Sequence, residues 1–585
     1  MHRLTEAATP RSHRRYLLLA PSGLAAMIRR CCPLFVVVLT AASLLASSDA
    51  AAPNPDLSAA NQLYRSGRFA EAADKYQSIL KSDPKLIAAQ AGLIRSWLRQ
   101  EKVDEALAAA TADLAAQPNS APLLASMGDV QFRIAKMAEA EGYYQKALAA
   151  DPRQVQALLG LARLYDAYSL YRQAYNQLQI AHQVAPNDPD IQRRWFDELP
   201  RKERIAAIEA YLAGPHPDDA EETEHLRHYL EFLRATVDKP VHACRLVNHV
   251  EATEAKLESL LYDPKTVVGY GLAVKLNDHK VRLQLDTGSS GIMVGRKAAE
   301  KAGLTRISEM SYRGIGDKGA QTGYLAVADH IKIGDLDYQD CVVHVSDRAS
   351  IVDEEGLIGA DVFSSWLIDI DLPNQKLRLS ALPKRPNEAA APKSLDTQGE
   401  DRTGPDDSDE AAAQPQTAEA KAPANSGAKP ASRLPQDAYV APEMATWTKV
   451  FRFDHALLIP TSVDHSLPML FLIDTGSTSN ALSQHAARQV TKTSADPYTQ
   501  VKGLSGEVNK VYRAANANLT FGHLAQKNQS VLTLDLSALT HSIGTEVSGF
   551  IGFSTLRLLE MKIDYRDGLV DFAYDAKRWG AGAKF

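Results

Sequence analysis

Two Asp-Thr-Gly-Ser tetrads stand in this 585-residue chain, at 286–289 and 474–477, each directly behind an apolar run of strand character at 281–285 and 469–473. Each Asp is therefore expected where a strand ends and a glycine-assisted turn begins. Two carboxylates held a few ångströms apart cannot both ionise cheaply, so one keeps a proton while the other draws one from a water between them. Such a pair supplies one general acid and one general base. It requires no metal, cofactor or covalent intermediate, and no His or Cys cluster in the chain has metal-ligand spacing. Gly288 and Gly476 allow a close backbone approach that a Cβ would block. Ser289 and Ser477 are placed to donate hydrogen bonds to the outer carboxylate oxygens, which favours the ionised form and lowers the pair's apparent pKa values.

The elements that must position these groups also occur twice. After Asp286 come a helix-like stretch at 296–302, a glycine-rich segment with Gly314, Ile315 and Gly316, and the apolar-apolar-Gly sequence Leu357, Ile358, Gly359. After Asp474 the same order returns with 484–490, then Gly503, Leu504 and Ser505, then Phe550, Ile551 and Gly552, at nearly equal intervals. A turn at a strand end explains either tetrad alone. It does not explain matched neighbours, which indicate internal duplication of a mainly β unit.

On these residues the chain resembles the aspartic proteases, and among them the compact retropepsin-like bacterial proteins, over 246–383 and 441–577. The resemblance implies two all-β lobes, each giving one catalytic residue, Asp286 or Asp474, and a bracing segment ending in Gly359 or Gly552. It places flaps at Gly314, Ile315, Gly316 and at Gly503, Leu504, Ser505. It further implies that Thr287 and Thr475 hydrogen-bond across the lobe interface, with Gly288, Ser289, Gly476 and Ser477 supporting the carboxyls. The implied activity is endopeptidase hydrolysis of a protein or peptide substrate, with the lobes paired inside one chain. Two other readings stay open: a protease-like scaffold that grips peptide without cutting it, and a homodimer in which like lobes pair between chains. Ser289 and Ser477 follow the pepsin-like pattern where retroviral enzymes usually carry Ala, and Tyr312 near the first flap has no counterpart in the second.

Ahead of the lobes the sequence repeats every 34 residues, with Pro84, Pro118, Pro152 and Pro186, and with Ala72, Ala106, Ala140 and Ala174. This pattern resembles tetratricopeptide repeats, which implies four helix pairs over 57–187 and a helical cap or connector at 188–245. The Ala residues suit close helix crossings and the Pro residues suit turns. Tyr76, Tyr144, Leu93 and Leu161 are expected in the core. The fold class is thus multidomain, an all-α solenoid followed by two all-β lobes. The solenoid's concave groove is either a site for a protein partner or part of a spacer.

A hydrophobic content of 45%, a charged content of 23% and a net charge of −6 describe a globular chain and give no sign of nucleic-acid binding. Residues 1–52 read as a signal peptide, with Met27 as an alternative start, Arg29 and Arg30 ahead of the apolar run 32–46, and small residues beyond. Export to a periplasmic or extracellular location is expected; an uncleaved membrane anchor is the alternative. Residues 384–440, rich in Ala, Pro and charge, read as a disordered linker long enough to let the lobes meet. Cys244 and Cys341 remain after leader cleavage, either bonded to each other or as separate buried thiols.

Overall fold

The computed structural model describes residues 54–579 except 239–243, 249, 348–354, 387–393, 396–435 and 529. The leader at 1–52 and most of the linker lie outside the described residues. Helices α1 (Pro55–Arg65), α2 (Phe69–Ser82), α3 (Ile87–Arg99), α4 (Val103–Ala116), α5 (Ala121–Arg133), α6 (Met137–Ala150), α7 (Val155–Ala167) and α8 (Tyr171–Val184) form the array. The period seen in the sequence has a direct cause. Pro84, Pro118, Pro152 and Pro186 fall in the turns between pairs, while Ala72, Ala106, Ala140 and Ala174 are buried at the crossings. Tyr144 fills the space left by two glycines: a Cβ at Gly128 would stand 2.5 Å from its ring, and one at Gly160 would overlap it. Its hydroxyl donates to Asp129 Oδ1 at 2.8 Å, as that of Tyr76 donates to Asn61 Oδ1 at 2.6 Å. Leu93 and Leu161 are buried as expected.

Three further helices, α9 (Pro189–Trp195), α10 (Arg201–Ala213) and α11 (Ala220–Thr236), extend the array toward the β region. Asp219 and Glu222 form a reciprocal cap at the start of α11, satisfying two of its open backbone donors.

Both lobes are β, and one antiparallel ladder joins them. Strand Trp366–Asp371 of the first lobe pairs with Leu559–Asp564 of the second, with Ile368 opposite Ile563 and Ile370 opposite Met561. These apolar residues are fully buried in a core that both lobes share. The fold is therefore one two-lobed body within a single chain. A disulfide joins Cys244 to Cys341, tying strand Cys244–Leu246 to Leu336–Ser346.

The helical array is packed against both lobes. Phe132 meets Phe453 with ring centroids 6.3 Å apart, and Tyr168 meets Phe451 at 5.4 Å. Glu546 N–H donates to the Arg133 carbonyl at 3.0 Å, and Thr545 Oγ1 donates to the Phe132 carbonyl at 2.6 Å. Helices α10 and α11 share an apolar cluster with Met293, Met310 and Leu325 of the first lobe. The flanks of the linker also meet, because Arg385 Nη1 donates to Gln436 Oε1 at 3.4 Å.

Candidate active site

Asp286 ends strand His279–Asp286 and Asp474 ends strand Met469–Asp474. Each is locked at that point by a parallel neighbour: Asp286 lies opposite Gly359 and Asp474 opposite Gly552. Glycine is required there, since a Cβ at Gly359 would overlap the Ser289 carbonyl and one at Gly552 would overlap that of Ser479.

The next residue of each tetrad ties the two turns together. Thr287 Oγ1 donates to the Ile473 carbonyl at 2.8 Å and accepts the Thr475 N–H at 3.0 Å. Thr475 Oγ1 donates to the Leu285 carbonyl at 2.8 Å and accepts the Thr287 N–H at 3.0 Å. This four-bond lattice is buried, so none of its members has water as a substitute. It presses each carboxyl onto the other lobe's glycine. A Cβ at Gly288 would stand 2.8 Å from Asp474 Cγ, and one at Gly476 would overlap the Asp286 carboxyl. Both Asp side chains are nearly buried, at 8% exposure.

The two carboxyls are not equivalent. Asp286 accepts from Gly288 N–H at 2.9 Å and from Ser289 Oγ at 2.7 Å. Asp474 accepts from the N–H groups of Gly476 and Ser477, both at 2.9 Å. The Ser477 hydroxyl turns away and donates to the Ser479 carbonyl at 3.0 Å, so the expected symmetric pair of serine hydroxyl donors does not form. Burial, followed by the charge of Asp286, pushes Asp474 well above the ordinary carboxylate range. The expected lowering is therefore reversed at this residue. The geometry is that of one carboxyl, Asp474, poised to hold a proton beside its partner.

The glycine-rich segments meet above this pair. Ser505 N–H donates to the Ile315 carbonyl at 3.0 Å, Lys318 N–H to the Ser505 carbonyl at 2.9 Å, and Gly314 N–H to Ser505 Oγ at 3.0 Å. Ser505 is fully buried between the tips. Gly503 and Gly316 are needed for this approach, since a Cβ on either would overlap backbone of the opposite tip. Behind the first flap, α11 acts as a clamp: Arg313 forks onto Glu221, and Ser311 Oγ lies 3.2 Å from His228 Nδ1. Tyr312 and Leu504 pack against the α10–α11 apolar cluster.

Sequence reasoning missed two polar braces. Asp361, two residues past Gly359, accepts from Ser290 Oγ and Gly291 N–H at 3.0 Å; burial raises its pKa. In the second lobe Asn480 takes a comparable role, its Oδ1 accepting from Gly552 N–H and Thr555 Oγ1 at 2.9 Å. The only local signal for Asp361 was an acidic residue inside an otherwise apolar segment. The clamp residues on α11 carried no signal at all.

Both halves of the β region match the aspartyl protease family, over residues 272–362 and 459–555. One matched stretch falls on each lobe, and each contains one Asp-Thr-Gly-Ser tetrad. The chain is 32% identical over 109 residues to UBA domain-containing protein Mud1 of Schizosaccharomyces pombe, covering 18% of this chain and 31% of that protein. It is 29% identical over 157 residues to DNA damage-inducible protein 1 of Kluyveromyces lactis, covering 25% of this chain and 36% of that protein. The chain thus spans about a third of the length of these curated relatives. Among solved structures, the aspartic proteinase of Irpex lacteus aligns at 14% identity and a TM-score of 0.31, covering 56% of this chain and 98% of that one. A tetratricopeptide repeat protein of Thermus thermophilus aligns at 19% identity and a TM-score of 0.25, covering 31% of this chain and 99% of that one.

Proposed function

We propose that this protein is an aspartic-type endopeptidase in which Asp286 and Asp474 of one chain share a single proton. The observation that carries this reading is the threonine lattice, which holds the two carboxyls face to face in a nearly buried site. Asp474, with its raised pKa, keeps the proton and supports the oxygen of the tetrahedral intermediate. Asp286, supplied with the Ser289 hydroxyl donor, draws a proton from the attacking water. The proton then passes to the leaving amine. Loss of the Asp474 proton with rising pH should therefore stop turnover on the alkaline side.

Export is part of the proposal. The leader-like segment supports it, as does the Cys244–Cys341 disulfide, which suits an oxidising compartment. The helical array is proposed to hold protein, either substrate or partner. A second reading, a peptide-binding scaffold without turnover, draws support from the flap tips, which are bonded to each other over the site. Cleavage of a peptide library across pH, with and without a statine peptide, separates the two. The peptidase reading expects statine-sensitive cleavage, and binding without products at any pH would remove it.

A further inference from the structure

The cavity that holds Asp286 and Asp474 does not stop at the lobes. Its volume is about 2230 Å³, and Tyr64, Arg95, Phe132, Arg163, Tyr175 and Arg194 of the helical array line it together with the two carboxyls. Sites for small molecules are roughly 300–1,000 Å³, so this space is on the scale of a polymer. We propose that the inner wall of the array is a second part of the substrate site, which binds the same unfolded polypeptide at a distance from the bond being cut. This inference rests on the peptidase reading for the identity of its occupant.

The chemistry of the wall favours polypeptide backbone over any one side-chain type. Arg95 is paired with Asp190 at 2.8 Å, Arg163 with Asp129 at 2.8 Å, and Arg194 with Asp166. The repeat places Arg95, Asp129 and Arg163 at the same position of successive repeats, so fixed charges alternate in sign along the stack. A wall of paired charges has no net demand for an acidic or a basic ligand. It does offer oriented donors and acceptors, with the half-buried ring of Tyr175 on the same surface. An extended chain presents amide N–H and C=O groups about every 3.3 Å whatever its sequence, and suits such a surface. The wall is also fixed in place relative to the carboxyls, because Arg133 Nη1 donates to the Thr540 carbonyl at 3.1 Å and Phe132 packs on Phe453. One cavity with two fixed ends selects for long, unfolded chains.

The test uses the full chain and two fluorescein-labelled peptides from unfolded casein, an 8-residue core around a mapped cleavage site and a 24-residue version with the same centre. Affinity is read by anisotropy on the Asp286→Asn protein. The expected result is binding of the longer peptide at least tenfold tighter, with that advantage cut below threefold by the added changes Arg194→Ala and Tyr175→Ala. Hydrogen exchange on α7 and α9 should slow only with the longer peptide. Equal affinity for the two lengths, with no protection on α7 or α9, overturns the proposal even if the altered array folds poorly. If no casein cleavage site can be mapped, arbitrary 8- and 24-residue casein segments serve. A length advantage without cleavage by the native chain then retains the wall and removes the peptidase reading.

Discussion

Replacing Thr287 by Val tests the lattice beneath the carboxyls with almost no change of shape. The hydroxyl of Thr287 has two partners, the Ile473 carbonyl at 2.8 Å and the Thr475 N–H at 3.0 Å. Valine leaves both of these backbone groups buried and unpaired, since Thr287 itself is fully buried. Each such group costs about 1–3 kcal/mol, so the local loss is about 2–6 kcal/mol. At about 1.4 kcal/mol per factor of ten, the opening equilibrium at Thr475 should rise at least roughly 30-fold. Amide hydrogen exchange at Thr475 reads this opening directly, without assuming that so large a chain unfolds in one step. Cleavage should fall with it, because Asp474 is positioned by the same turn. A change in exchange of less than about threefold would mean that the lattice does not hold the turns together and would refute the reasoning.

The remaining predictions concern pH, redox state and the flap. Asp564 is buried beside Asp567 and its pKa is pushed up to about 7, by burial first and then by the neighbouring charge. A carboxyl raised on folding binds more protons in the folded state, so its stabilising contribution is present at low pH and is lost as pH rises through about 7. The thermal midpoint should therefore drop between mildly acidic and mildly alkaline buffer, and Asp564→Asn, which keeps an acceptor for the Asp567 N–H at 3.0 Å, should flatten that slope. Cys341→Ser should lower stability of the oxidised protein by about 2–4 kcal/mol, matched by reductant on the native chain and measured by thermal unfolding. Glu221→Ala removes the carboxylate that Arg313 grips, so hydrogen exchange across 313–320 should speed up several-fold; an unchanged rate would show that α11 does not restrain the flap.

Features set by local spacing were legible in the sequence, and features set by distant surfaces were not. The repeat helices followed from Ala and Pro positions because each acts within its own pair. The short helices after each tetrad, Arg296–Ala302 and Gln484–Val490, fall at the stretches expected for them. Docking of Phe132 on Phe453 had no signature, since an apolar residue near the end of a repeat helix reads as core whichever surface covers it. The direction of the Ser477 hydroxyl was equally hidden. Identical tetrads allow the same bonds, and the choice between Asp474 and the Ser479 carbonyl is made by the turn that follows, which differs from Gly291 and Ile292 in the first lobe. The pKa of Asp474 follows burial and the proximity of Asp286, neither of which a sequence reports.

Whether Asp286 and Asp474 of one molecule make one site is decided by turnover of Asp286→Asn, of Asp474→Asn, and of an equimolar mixture of the two on an unfolded casein substrate. Because one shared proton needs both carboxyls, each variant should lose at least about a thousandfold in kcat while keeping the native thermal midpoint. Because the lobes are joined by the Ile368–Ile563 ladder within the chain, the mixture should stay as inactive as its components. Near-native turnover by either variant would contradict a shared catalytic pair, and recovery in the mixture would contradict pairing within one chain.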